Sequence, residues 1–133
     1  MDAALVADLE QALAPERVRV SPLELDLYAR DASIISGHAE VVCFPLTTEE
    51  VQACVRVCQA HGRPFVPRGS GTGLAGGAVP VGDPVVIVTT KMTRILEVDA
   101  DERVAWVEPG VLNLDLSRAV AHLGLHYAPD PSS

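Results

Sequence analysis

Several features are missing from this 133-residue sequence, and each absence removes a class of protein. No stretch approaches the ~20 apolar residues of a membrane-spanning helix, so no span is expected. Met1-Asp2-Ala3-Ala4-Leu5 has no basic segment leading into a long apolar run, so a secretory signal is not expected either. Lys and Arg are nowhere clustered, which argues against a face that tracks nucleic-acid phosphates. Cysteine is scarce, and its count of three is odd. Cys54 and Cys58 are four apart, on one face if helical, but there is no C-x-x-C pair and no His/Cys ligand spacing. That pattern predicts buried free thiols in a reducing compartment and no metal site. There is no internal repeat and no low-complexity linker.

What is present is an ordinary globular composition, 48% hydrophobic and 21% charged. The net charge of −8 is unevenly placed. Residues 1–50 hold 10 acidic and 3 basic side chains, whereas residues 51–133 hold 8 and 7. The first part reads as a solvated acidic arm, and an anion site is expected in the second.

Local patterns give the elements. Leu5, Leu9 and Leu13 recur at i, i+4 and i+8, predicting an amphipathic helix over 3–14 closed by Pro15. Val18-Arg19-Val20 is a short strand, and residues 21–40 read as irregular. Val41 to Phe44 is an apolar run stopped by Pro45, as in a buried strand. Thr47 and Glu50 have capping-box spacing, with Val51, Cys54, Val55 and Cys58 as the stripe of the next helix. His61-Gly62 ends it, and Pro64 to Pro67 is extended. This strand–helix–strand order predicts a parallel βαβ unit. Val85–Thr89 is a third strand. Residues 95–99 and 104–108 form an antiparallel hairpin, Pro109-Gly110 a turn, and Asn113 caps a last helix closed by Gly124. His61 and His122 fall at helix ends, where a cation is favoured, and read as caps rather than catalysts.

The segment with chemistry in it is Arg68-Gly69-Ser70-Gly71-Thr72-Gly73-Leu74-Ala75-Gly76-Gly77, which holds five of the ten glycines. Glycines let a ligand approach the backbone, and successive N–H groups can converge on an anion. Ser70 and Thr72 add hydroxyls, Arg68 adds a fixed positive charge, and the loop follows a strand end. A P-loop would need a Gly-Lys-Ser/Thr ending, and no lysine lies here. Gly71, Gly73 and Gly76 match a dinucleotide fingerprint, but that fingerprint needs a helix starting inside it. Gly77-Ala78-Val79-Pro80-Val81-Gly82 follows instead. Two readings remain: a loop that cradles a pyrophosphate with backbone amides and returns straight to a strand, and a merely flexible glycine loop, although plain linkers lack an Arg anchor and apolar neighbours on both sides.

Pro67 to Ala78 resembles the flavin pyrophosphate loop of the vanillyl-alcohol-oxidase/PCMH-type FAD-binding family. Within it, the sequence is most similar to the FAD-linked 2-hydroxy-acid oxidoreductases: the D-subunits of bacterial glycolate oxidases and the FAD-linked D-lactate dehydrogenases. The likeness continues in Val107-Glu108-Pro109-Gly110-Val111-Leu112-Asn113-Leu114 and in Tyr127 to Ser133. It implies an incomplete PCMH-type FAD-binding fold of the α+β class. Its N-terminal part would be α/β-like, a small parallel βαβ unit followed by an antiparallel hairpin and a helix. Residues 1–40 would be an N-terminal helix and acidic arm, and 41–133 the first part of the FAD-binding domain, cut at its C-terminal end.

The resemblance also implies roles. The amides of Arg68, Gly69, Ser70, Gly71, Thr72 and Gly73, with the Ser70 and Thr72 hydroxyls, would hold the FAD pyrophosphate, Pro67 would be cofactor-binding beside them, and Gly76 would let the backbone pass close to the cofactor. Pro109, Gly110 and Val111 would turn against the cofactor, and Pro129, Asp130, Ser132 and Ser133 would run along the flavin. Asp130 reads equally as a turn-forming residue between two prolines. Some relatives attach FAD through a histidine in this loop; Thr72 stands at that place, so FAD is expected to be non-covalent.

The whole protein is then expected to oxidise a small 2-hydroxy acid, glycolate or D-lactate, by hydride transfer to FAD. That step needs a base on the hydroxyl, which no residue here can be assigned to. The chain is expected to be an N-terminal fragment, inactive alone. Implied partners are the substrate and other subunits of a glycolate oxidase complex, with no nucleic acid. The expected location is cytoplasmic, with partner subunits as the route to peripheral membrane association. A stand-alone nucleotide- or anion-binding module without redox activity is the alternative. A third reading keeps the flavin but changes the substrate, as in cell-wall precursor reductases of related fold.

Overall fold

The computed structural model describes residues 1–129. Its elements are α1 (Ala3–Ala12), β1 (Val18–Arg19), α2 (Pro22–Asp26), β2 (Val41–Cys43), α3 (Thr48–Ala60), β3 (Phe65–Arg68), β4 (Val85–Val88), β5 (Ile95–Asp99), β6 (Val104–Val107) and α4 (Asn113–Val120). Packing divides the chain into two units between Lys91 and Met92.

In the first unit, side-chain alternation builds two cores on one sheet. Val41, Cys43, Val85 and Ile87 face Leu5, Leu9 and Leu13 of the N-terminal segment and Cys54 and Cys58 of α3. Val42, Phe44, Val86 and Val88 face the other way, toward Leu25, Tyr28 and Ala39. The segment 21–40, read from sequence as irregular, thus contains the short helix α2 and covers a whole sheet face. Leu23, Leu25 and Leu27 alternate in sequence, but only Leu25 is buried, so the pattern matches no single helical or strand face.

The sheet order is β1-β2-β4-β3, with β1 antiparallel and the rest parallel. The predicted βαβ unit is present but not as nearest neighbours, because β4 inserts between β2 and β3. The physical reason is legible in hindsight. Val85–Val88 is buried at every position, as a central strand requires. In β3, Phe65 is exposed and Pro67 has no N–H to donate, both suited to an edge.

Helix ends are set by local chemistry. Asp2 caps α1, accepting from the Leu5 amide at 3.2 Å. Thr47 caps α3, its hydroxyl accepting from the Glu50 amide at 3.2 Å. The Glu50 carboxylate does not complete the reciprocal half of the box. It accepts from the Leu46 amide at 2.7 Å and pairs with both terminal nitrogens of Arg17. The Arg17 guanidinium holds the Glu50 carboxyl below the ordinary carboxylate range. His61 is the C-cap of α3, and its Nε2 lies 2.7 Å from Asp8 Oδ2. All three cysteines are buried and free. Burial and the neighbouring Cys54 push the Cys58 thiol up to about 11, out of reach of ordinary reactivity.

In the second unit, β5 and β6 form the expected antiparallel hairpin, with an irregularity between Ile95 and Glu97. Leu112, not Asn113, is the N-cap of α4, and no side chain caps it. Asn113 already has helical backbone, so its amide side chain cannot fold back as a cap. Gly124 closes the following 3-10 turn in the left-handed conformation, φ +71°. No helix among the described residues is long and apolar enough to cross a membrane.

Candidate cofactor-binding site

β3 ends at Arg68 and the chain returns to β4 at Val85 without a helix or strand between. The absence of a helix there bears out the rejection of the dinucleotide fingerprint. The loop is shaped from its start. Gly71 has φ +74°, and a Cβ on it would sit 2.1 Å from Nη2 of Arg68, so any side chain there is strained and must push the guanidinium aside. Gly76, at φ +79°, passes against Ile35. Gly69 and Gly73 are different: a Cβ on either would meet nothing within 4 Å. Their smallness serves no packing within the described chain.

The amides match this openness. Among the described residues, those of Gly69, Ser70, Gly71, Thr72 and Gly73 donate to no protein acceptor. Ser70 and Thr72 are exposed, and their hydroxyls are equally unengaged. Five consecutive N–H groups without a protein acceptor, on a glycine-rich turn, are the kind of donor set that an anion's oxygens require. These residues fit the diphosphate of a dinucleotide. Pro67 is exposed at the entrance, in β3 opposite Ile87.

Arg68 points the other way. It is only 8% exposed, and its Nη1 donates to the Arg30 carbonyl at 2.7 Å. Its guanidinium lies 5.4 Å from the centre of the Tyr28 ring. The fixed charge expected beside the anion is therefore beneath the loop.

Sequence reasoning missed the loop's second wall, a strap over residues 28–38. The Ala32 amide donates to the Gly73 carbonyl at 3.1 Å, and the His38 amide to the Pro80 carbonyl at 3.0 Å. Gly37 packs on Pro80 so closely that a Cβ would lie 1.8 Å from its carbonyl oxygen. Asp31 accepts from the Ser33 amide at 2.8 Å. Ser33, through hydroxyl and amide, holds the Asp31 carboxyl below its usual range, aided by the Gly76 and Ala78 amides. The only signals were a lone glycine and a tyrosine, because most of the contacts run through backbone.

The second unit holds the other predicted turn. The Gly110 amide donates to the Met92 carbonyl at 2.8 Å, and the Val111 amide to the Glu108 carbonyl at 3.2 Å. The buried Glu108 carboxylate accepts from the Arg94 amide at 2.7 Å and from its Nε at 2.9 Å. Arg94 keeps the Glu108 carboxyl below its ordinary value. Pro109 is left exposed at the tip. Pro129 is exposed, and Asp130, Ser132 and Ser133 lie outside the described residues.

Comparison with known proteins follows this geometry. Residues 39–133 match the family described as FAD binding domain. The chain is 40% identical over 126 residues to the glycolate oxidase subunit GlcD of Bacillus subtilis, covering 94% of this chain and 27% of that protein. It is 40% identical over 121 residues to the D-lactate dehydrogenase of Anaerostipes hadrus, covering 90% and 26%. The chain thus spans about a quarter of the length of these relatives. Its backbone superposes on p-cresol methylhydroxylase with a TM-score of 0.82 at 24% identity, over 92% of this chain and 25% of that one, which shows the α+β, PCMH-type fold. With a family match over residues 39–133 and a strand-to-strand loop presenting free amides, this chain belongs to the FAD-binding domain family.

Proposed function

We propose that the chain is the FAD-binding N-terminal portion of a flavoprotein that oxidises a small 2-hydroxy acid of glycolate or D-lactate type. The cofactor part is carried by the run of five unpaired amides from Gly69 to Gly73, and the substrate class is supported by the glycolate oxidase and D-lactate dehydrogenase relatives. In this reading those amides, with the Ser70 and Thr72 hydroxyls, bind the two phosphates. Pro67 and Arg68 set the entry to the loop, and Gly76 keeps its far side thin. Pro109, Gly110 and Val111 are assigned to the turn against the cofactor, and Pro129, Asp130, Ser132 and Ser133 to the segment that runs along the flavin. Residues 41–133 are then the first part of a PCMH-type FAD-binding domain, and residues 1–40 the segment that closes its sheet.

FAD held by these residues would supply the hydride acceptor for oxidation at the substrate's α-carbon. The residues of this chain bind and orient; the base and the substrate contacts belong to the rest of the protein. Thr72 in place of a histidine supports non-covalent attachment. The subunit designation of the glycolate oxidase relatives supports further subunits as partners, and the three free cysteines fit a reducing, cytoplasmic site of action.

The test is to purify the full-length protein, record its visible spectrum, precipitate it with acid and assay glycolate and D-lactate with a dye acceptor. Flavin released into the supernatant, with turnover of one of these acids, is expected. A folded protein without flavin sinks the cofactor assignment; flavin without turnover of either acid sinks the substrate class.

A further inference from the structure

Five arginines of this chain each pair with a carboxylate: Arg17 with Glu50, Arg19 with Glu24, Arg63 with Glu40, Arg94 with Glu108 and Arg118 with Asp115. Arg68 is the buried one, and it has no such partner among the described residues. A buried charge is ordinarily matched by an opposite one. Here the compensation is partial. The Arg30 carbonyl is at 2.7 Å, the Tyr28 and Ala78 carbonyls are at 3.5 Å, and the Tyr28 ring lies alongside. On its remaining side the guanidinium meets the backbone of Gly71, where an added Cβ would be 2.5 Å from Cζ. Gly71 is the middle one of the five free amides. A buried positive charge thus lies against the backbone of the middle one of five amides that have no protein acceptor, close enough to act on an anion held there.

Resting on the flavin assignment above, we propose that Arg68 is the buried countercharge of the FAD pyrophosphate, acting from beneath through the Gly71 backbone and touching no phosphate oxygen. The ligand's negative charge completes what the protein leaves unbalanced. Arg68 is then a positioning and electrostatic residue, distinct from the amides that contact the diphosphate.

Bracing and charge are separable by substitution. Arg68→Lys keeps the charge but loses the planar fork that reaches the carbonyls; Arg68→Met keeps the stem and loses the charge. Full-length protein stripped of flavin is titrated with FAD at several salt concentrations, and the melting temperature of each flavin-free variant is recorded. Both variants are expected to melt lower by similar amounts. Affinity for FAD is expected to stay within about threefold of wild type in Arg68→Lys. It should fall at least about tenfold in Arg68→Met, with a shallower salt dependence. Equal losses in the two variants would leave only a brace and overturn the proposal, as would unchanged affinity in both. Should Arg68→Met not fold, Arg68→Gln, which also lacks the charge, takes its place in the same FAD titration beside Arg68→Lys: a loss in Arg68→Gln alone supports the countercharge, and equal or no losses refute it. A folded wild type that takes up no FAD overturns the flavin assignment with it, before any variant is compared.

Discussion

The glycine-rich loop and the strap over residues 28–38 lie against each other, yet they are built on opposite principles. The loop shows its purpose in its residue types: five glycines, two hydroxyls and an arginine within ten positions. The strap is ordinary in composition and works through backbone groups, the Arg30 carbonyl, the Ala32 amide and the His38 amide. One exposes its N–H groups to solvent; the other spends its own on holding the first in place. The anion cradle proposed for this loop needs both, since amides fixed before binding lose less freedom on binding.

The comparison breaks most severely at Gly71. Valine there would force a β-branched residue into a left-handed backbone, about 1–2 kcal/mol. It would also drive a Cβ into the Arg68 guanidinium, 2.1 Å from Nη2. With overpacking at about 1–3 kcal/mol, Gly71→Val should destabilise the first unit by about 4 kcal/mol and abolish flavin absorbance in the full-length protein. Full flavin content in the variant would refute the loop assignment.

Gly37 tests the strap. A methyl there meets the Pro80 carbonyl, a backbone atom that cannot swing aside. Gly37→Ala should cost about 3 kcal/mol in denaturant unfolding, the upper part of the overpacking range. Hydrogen exchange should show the Ala32 and His38 amides losing protection first, before those of β4. Loss of protection in β4 alone would mean that strap and loop are not joined in this way.

These two glycines show what was legible in the sequence and what was not. Gly71 sits among others of its kind beside Arg68, so an anion loop could be read directly. Gly37 stands alone in an acidic stretch, and its reason is the distant Pro80. The same holds for the sheet. Apolar runs identified β2 and β4, but only pairing revealed that β4 separates β2 from β3. Contacts close in sequence, such as the Thr47 cap, were readable. Those between distant backbone groups carry no residue-type signature.

Away from both regions, Glu50 offers a control of smaller effect. Its folded pKa is depressed by Arg17, so its contribution is fully present above the unfolded value, ~4.3, and is lost as pH falls through the folded one. Both side chains are under a quarter exposed, at 13% and 24%. Glu50→Gln should therefore cost about 1.5–3 kcal/mol at pH 7. The difference from wild type should shrink steadily below pH ~4.3, while flavin affinity measured at pH 7 stays unchanged. A difference that persists undiminished in acid would show that the pair is not what Glu50 contributes.

The smallest expected change in stability is at Gly69, and it sharpens the comparison most. No described atom lies within 4 Å of a Cβ placed there, and its φ lies outside the left-handed region. Alanine should thus fold as well as glycine, with flavin-free stability within about 0.5 kcal/mol of wild type. A ligand drawn onto the Gly69–Gly73 amides, however, would meet that methyl group. Gly69→Ala should therefore weaken FAD binding without moving the flavin-free melting temperature, the reverse of the pattern expected for Glu50→Gln. A loop made merely flexible by its glycines would show neither effect. A variant that binds FAD as tightly as wild type would place the diphosphate away from this end of the cradle.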